Sequence, residues 1–184
     1  AAYYPGAAPL VLKLLFSMDG KRLFGAQIVG TDGVDKRIDV LAAAIRLGAG
    51  VSDLTKLELA YAPPYSSAKD PVNMAGYVAE NLLTGKVAFS SWDALDKRDG
   101  AVVLDVRETM ERQAFELPDS VHIPLGQLRE RIGELDPARR YIILCAVGVR
   151  AYNASRILSA HGFKNVLVYP GGTHFYRSTH FPLF

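Results

Sequence analysis

One cysteine, Cys145, closes an apolar run, Tyr141-Ile142-Ile143-Leu144. It is followed by Ala146-Val147-Gly148-Val149-Arg150 and then by a helical pattern. These residue types at this spacing can do thiol chemistry. A loop between a strand end and a helix start can curl its backbone N–H groups inward. With the helix dipole they form a nest for an anion. A thiolate held there is stabilised and is available as a nucleophile at neutral pH. Gly148 supplies the backbone freedom of a tight loop, and Arg150 a permanent charge on a planar fork of donors. The plainer reading is a small buried residue at a strand end, since free Cys is among the most buried types. The glycine and arginine at loop spacing favour the reactive thiol. With no second cysteine there is no internal disulfide, and no zinc site can be built from cysteines.

Asp105 and Arg107 follow another apolar run, Ala101 to Asp105. They can orient the cysteine loop or touch a ligand bound there. Equally, they can form a structural ion pair or cap the next helix. His122 reads as a structural histidine with a polar partner. His174 and His180 lack metal-ligand spacing, and no metal is assigned.

The elements that must position these residues follow from periodicity. The second half alternates strand and helix: Ala101–Asp105, helix Glu108–Phe115, Val121–Ile123 stopped by Pro124, helix Leu125–Leu135, Tyr141–Cys145, helix Ala151–His161 closed by Gly162, and Val166–Val168 before Pro170-Gly171-Gly172. Continuous apolar strands in βαβα order predict an open parallel α/β sheet. Ligands bind such sheets at the carboxyl ends of the strands, where Cys145 stands.

The first half reads as α+β. Leu10–Phe16 and Leu23–Val29, joined by Met18-Asp19-Gly20, predict a hairpin. Ile38, Leu41, Ala42 and Ile45 make one helical stripe, and Asp35-Lys36-Arg37 reads as its solvated first turn. Asp70-Pro71 opens a second helix through Met74, Ala75, Val78 and Leu82 to Gly85. Gly48-Ala49-Gly50 is a helix terminator, not a nucleotide loop, because Asp53 stands where a third glycine is needed. Basic residues change style along the chain, six Lys and three Arg up to Lys86 against two Lys and ten Arg after it. The domain boundary is placed there, giving domains 1–86 and 87–184.

Composition excludes several classes. Of 184 residues, 49% are apolar and 22% charged, which argues against disorder. No window approaches the ~18 uninterrupted apolar residues of a membrane helix, so no membrane partner is expected. A net charge of +2 argues against a nucleic-acid binder held by phosphate contacts. The start, AAYYPGAAPLVLKLLF, has no basic region of a signal peptide and reads as cut from inside a longer protein. A lone cysteine fits a reducing cytoplasm.

Residues 88–178 resemble a rhodanese domain. The matching pieces are Val103-Leu104-Asp105-Val106-Arg107-Glu108, Val121-His122-Ile123-Pro124-Leu125, Cys145-Ala146-Val147-Gly148-Val149-Arg150 and Tyr169-Pro170-Gly171-Gly172. The resemblance implies that Cys145 carries sulfane sulfur as a persulfide, cradled by the amides of Ala146, Val147, Gly148, Val149 and Arg150. Related phosphatase-like domains have a loop one residue longer, with room for an oxyanion, and many carry His where this chain has Leu144. Phosphatase chemistry is therefore not expected.

Residues 3–83 resemble the dimerisation domain of flavin-dependent pyridine nucleotide-disulfide oxidoreductases, in the branch of coenzyme A-disulfide reductase and its NADH oxidase and persulfide reductase relatives. The residues that carry this are Tyr3-Tyr4-Pro5-Gly6, Gly25-Ala26-Gln27-Ile28-Val29-Gly30, Asp35-Lys36-Arg37-Ile38-Asp39-Val40, Leu59-Ala60-Tyr61-Ala62-Pro63-Pro64-Tyr65-Ser66 and Asp70-Pro71-Val72-Asn73. The resemblance implies a homodimer in which Tyr61 and Tyr65, with Tyr3 or Tyr4 second, reach the partner subunit's flavin and thiol site. The alternative is that these tyrosines pack in the dimer interface, where Tyr is enriched.

The combined expectation is an α+β dimerisation domain followed by a rhodanese-like open parallel α/β domain. Together they form a fragment of a reductase of CoA disulfide or persulfide. No cofactor is expected in the fragment; FAD, NAD(P)H and coenzyme A are implied for the full-length protein. A sulfane sulfur donor and a thiol acceptor, coenzyme A or an upstream redox cysteine, are the implied partners. The competing expectation is an idle docking module joined to an oligomerisation scaffold.

Overall fold

The chain separates after Gly85 into two units, Ala1–Gly85 and Lys86–Phe184, in a computed structural model that describes residues 4–181.

In the first unit, Leu10–Phe16 (β1) and Leu23–Gly30 (β2) form an antiparallel hairpin. Its turn is tied by the Gly20 amide donating to the Ser17 carbonyl at 2.8 Å. Period-two alternation sends Leu12, Leu14, Ala26 and Ile28 to one face. There they meet Leu23, Leu41, Val51, Leu54, Val72 and Ala79. The opposite face leaves Val11, Leu15 and Val29 exposed. The helices are Val34–Arg46 (α1), Val51–Lys56 (α2) and Pro71–Leu83 (α3).

Two details depart from the periodicity reading. On α3 the positions Met74, Val78 and Leu82 are exposed. The buried face is Val72, Asn73, Gly76 and Ala79. Gly76 permits that packing, because a Cβ there would lie 2.9 Å from the Leu54 side chain of α2. On α1, Arg37 is not a solvated first-turn residue. It is buried and pairs with Asp70 at 3.1 Å while donating to the Gly33 carbonyl. Asp70 also accepts from the Ser66 hydroxyl at 2.7 Å and from the Val72 amide at 3.0 Å, capping α3. These neighbours hold the Asp70 carboxyl below the ordinary carboxylate range even though burial pushes it up.

The second unit runs Ala94–Lys97 (α4), Val102–Asp105 (β3), Thr109–Ala114 (α5), Val121–His122 (β4), Leu128–Arg131 (α6), Tyr141–Leu144 (β5), Val149–Ala160 (α7), Val166–Val168 (β6) and Gly172–His180 (α8). The four strands are parallel in the order β4-β3-β5-β6. Both faces are covered. Leu104 and Ile143 pack with Ala151, Ala154 and Leu158 of α7. Val103, Ile142 and Leu144 pack with Leu95, Tyr169 and Tyr176.

The stretch 125–135 is not one helix. Short 3₁₀ turns, Leu125–Gln127 and Ile132–Glu134, flank the single turn of α6. Gly126 and Gly133 lower the helical propensity in these turns, while buried Leu128 and Leu135 anchor the segment. Neither α4 nor α8 is evident from periodicity.

Candidate active site

Cys145 follows β5 directly and lies at the carboxyl edge of the parallel sheet. Its Sγ accepts a hydrogen bond from the Gly148 amide at 3.0 Å. Gly148 has φ 131, a conformation that L side chains rarely adopt. It turns the chain into α7, whose first residue is Val149. The loop therefore brings a backbone donor to the sulfur at the positive end of a twelve-residue helix. Cys145 itself is 1% exposed and packs in the core under α7.

The carbonyl side of the loop is held by α8. The Thr173 amide donates to the Cys145 carbonyl at 2.8 Å and the His174 amide to the Ala146 carbonyl at 3.1 Å. The loop is thus held by the Gly148 amide on the sulfur, just before α7, and by the first amides of α8 on its carbonyls. Gly172 opens α8 with φ 60, and a Cβ there would collide with both carbonyl oxygens. The Gly171-Gly172 pair thus has a local steric reason.

Arg150 does not point a free guanidinium at solvent. Its two terminal nitrogens donate to the two carboxylate oxygens of Glu111, at 2.5 and 2.6 Å. Glu111 sits on α5 and also accepts from the Glu108 amide at 3.0 Å, an intrahelical cap. The Arg150 hydrogen bonds, ahead of all else, pull the Glu111 carboxyl down to about 2. The same bonds push Arg150 up, with the nearby Cys145 sulfur a smaller contributor. Sequence reasoning missed Glu111. The signal available was its capping spacing from Glu108, which says nothing about a partner at residue 150.

Asp105 and Arg107 are 0% and 2% exposed. Arg107 Nε donates to Asp105 at 3.0 Å and one terminal nitrogen at 2.6 Å. Arg107 also donates to the carbonyls of Glu111 and Phe115, at 3.2 and 2.7 Å. His122 Nε2 donates to the Arg107 carbonyl at 2.8 Å. The pair therefore links the end of β3 to α5, the helix that carries Glu111.

Tyr61 and Tyr65 belong to the first unit. They lie on the segment 57–70, which has neither helix nor strand, and are 49% and 76% exposed. Tyr4 is partly exposed, and Tyr3 lies outside the described residues. Among the described residues no strand-to-helix turn carries a dinucleotide fingerprint. The entry to α1 runs through Thr31-Asp32-Gly33, whose last carbonyl is taken by Arg37. No group of three or more His, Cys, Asp or Glu among the described residues is placed to hold a metal ion. No helix of the described residues is long and apolar enough to cross a membrane.

A four-strand parallel sheet with a cysteine loop at its carboxyl edge, joined to an α+β unit, defines the class. Residues 91–178 match the rhodanese-like domain and residues 1–71 the pyridine nucleotide-disulphide oxidoreductase dimerisation domain. The first unit is thus similar to the dimerisation domain of pyridine nucleotide-disulphide oxidoreductases and the second to a rhodanese-like domain.

The first unit is 52% identical over 80 residues to the coenzyme A disulfide reductase of Staphylococcus epidermidis, covering 44% of this chain and 18% of that protein. The reduced Bacillus anthracis CoADR-RHD aligns with 97% of this chain at 45% identity and a TM-score of 0.92. The NAD-dependent persulfide reductase from A. fulgidus aligns with 96% at 42% identity and a TM-score of 0.83. This chain spans 32% of each of those two solved chains.

Proposed function

We propose that the second unit, taken from residue 87, carries sulfane sulfur as a persulfide on Cys145. The supporting observation is the Gly148 amide on Sγ at the head of α7. The Cys145 thiolate attacks the outer sulfur of a donor R–S–SH. A Cys145 S–S bond forms, the donor's S–S bond breaks, and its electron pair leaves on R–S⁻. An acceptor thiolate then attacks the outer sulfur of the Cys145 persulfide. The bond to Sγ breaks and the Cys145 thiolate returns. No electrons are gained or lost overall. The amides of residues 146–150 stabilise the anionic sulfur at the loop, as an oxyanion hole does for oxygen. Asp105 and Arg107 support the loop through α5 and do not touch the donor.

In the whole protein the acceptor is coenzyme A or a redox cysteine of another domain. FAD and NAD(P)H, where the whole protein holds them, would supply the two electrons that take a persulfide to thiol and sulfide. The first unit makes the homodimer, and Tyr61 and Tyr65 reach the partner's site. Substituting Cys145→Ser is expected to abolish sulfur loading while leaving the oligomeric state unchanged. Loading retained by that variant overturns the role of Cys145.

The 1% exposure of Cys145 favours a second reading, a docking module whose cysteine is idle. The two readings part on iodoacetamide at neutral pH. A sulfur carrier alkylates at Cys145 in the folded state, and an idle core cysteine alkylates only on unfolding.

A further inference from the structure

The loop that presents Cys145 holds one cation, Arg150, and that cation is spent. Both of its terminal nitrogens lie on the Glu111 carboxylate, at 2.5 and 2.6 Å. Glu108 adds a further negative charge that acts on Arg150. Arg107, which follows β3, is buried on Asp105. The side chains that the loop turns to solvent are apolar, with Val147 56% and Val149 64% exposed.

A dianionic donor such as thiosulfate needs a free positive charge to offset its desolvation and its repulsion from a thiolate. Arg150, held on Glu111, does not offer it. A donor with low charge and an apolar arm meets no such penalty against the two valines.

We propose that Glu111 is the specificity-setting residue of the cysteine loop: by holding Arg150 in a two-pronged pair it withholds the loop's cation and selects organic persulfides over thiosulfate. Glu111 is a positioning residue, acting through Arg150 and not on the donor. The inference rests on sulfur carriage by Cys145.

The test is the rate of persulfide loading on the intact chain, read by mass spectrometry, with thiosulfate and with 2-hydroxyethyl persulfide as the two donors. The wild type is expected to load faster from the persulfide. In Glu111→Gln the freed Arg150 should raise the thiosulfate rate relative to the persulfide rate by about tenfold at low salt. That is the scale of one partly solvated charge acting on a dianion, and it should shrink at high salt. Adding Arg150→Gln to that variant should cancel the gain, which loosening of the fold cannot do. Equal slowing with both donors in Glu111→Gln, or a gain that survives removal of Arg150, overturns the charge-setting role and leaves sulfur carriage standing. A wild type that loads from neither donor overturns both.

Discussion

At the scale of single residues, Glu111 and Arg150 join points 39 positions apart in the chain. Because the pair holds the Glu111 carboxyl near 2, below its ordinary 4.5, its contribution is fully present above about pH 4.5. It is lost as pH falls through 2. Both partners are partly solvated, so the contribution is on the order of 0.5 kcal/mol. The gap in melting temperature between wild type and Glu111→Gln is expected to be constant above pH 5 and to close between 4.5 and 2. A gap independent of pH over that range contradicts the pairing. The strand end, tight loop and helix start around Cys145, Gly148 and Arg150 were legible because they depend on local spacing. Glu111 and Arg37 were not, because each is defined by a partner brought in from another element. A run such as Asp35-Lys36-Arg37 looks uniformly solvated until Asp70 closes on one member.

At the scale of elements, two contacts fix where the loop sits. Gly172 lets α8 place its first amides on the carbonyls of Cys145 and Ala146. A Gly172→Ala substitution meets both a positive φ and a backbone collision. It is expected to cost roughly 2 kcal/mol or more and to slow sulfur loading, measured by denaturant unfolding and by mass gain. Wild-type stability would contradict the packing.

Arg107→Met leaves Asp105, 0% exposed, as an unpaired buried carboxylate. It also releases the carbonyls of Glu111 in α5 and of Phe115 just after it. A loss of about 3–5 kcal/mol is expected; a loss below about 1 kcal/mol in chemical denaturation contradicts a buried pair.

The parallel strands were legible because sheets covered on both faces leave continuous apolar runs. The helix α8 was not, since it opens on glycine and is rich in polar residues. What holds it is tertiary: Tyr176 donates to Asp96 at 2.8 Å, and Trp92 packs on Phe175. The Met74-Val78-Leu82 stripe has helical spacing, yet the small residue Gly76 decides which face lies against α2.

At the scale of the whole molecule, the first unit exposes Val11, Leu15, Phe24 and Val29 on the hairpin and Met74, Val78 and Leu82 on α3. Exposed apolar stripes on a dimerisation domain fit a covering partner. The chain is expected to sediment as a dimer, with Val78→Glu shifting it toward monomer. A dimer unchanged by that substitution puts the contact on another face. The order of the two units was legible because each motif set is contiguous in sequence. What the hairpin and α3 cover is a property of the assembly, which periodicity within one chain does not encode.

The most direct measurement is the intact mass of the protein after exposure to polysulfide, with and without prior alkylation. A gain of one sulfur that dithiothreitol removes, and that blocking Cys145 prevents, is the predicted result. A folded protein that gains no sulfur, or gains it in Cys145→Ser, contradicts the assignment of Cys145 as the sulfur carrier.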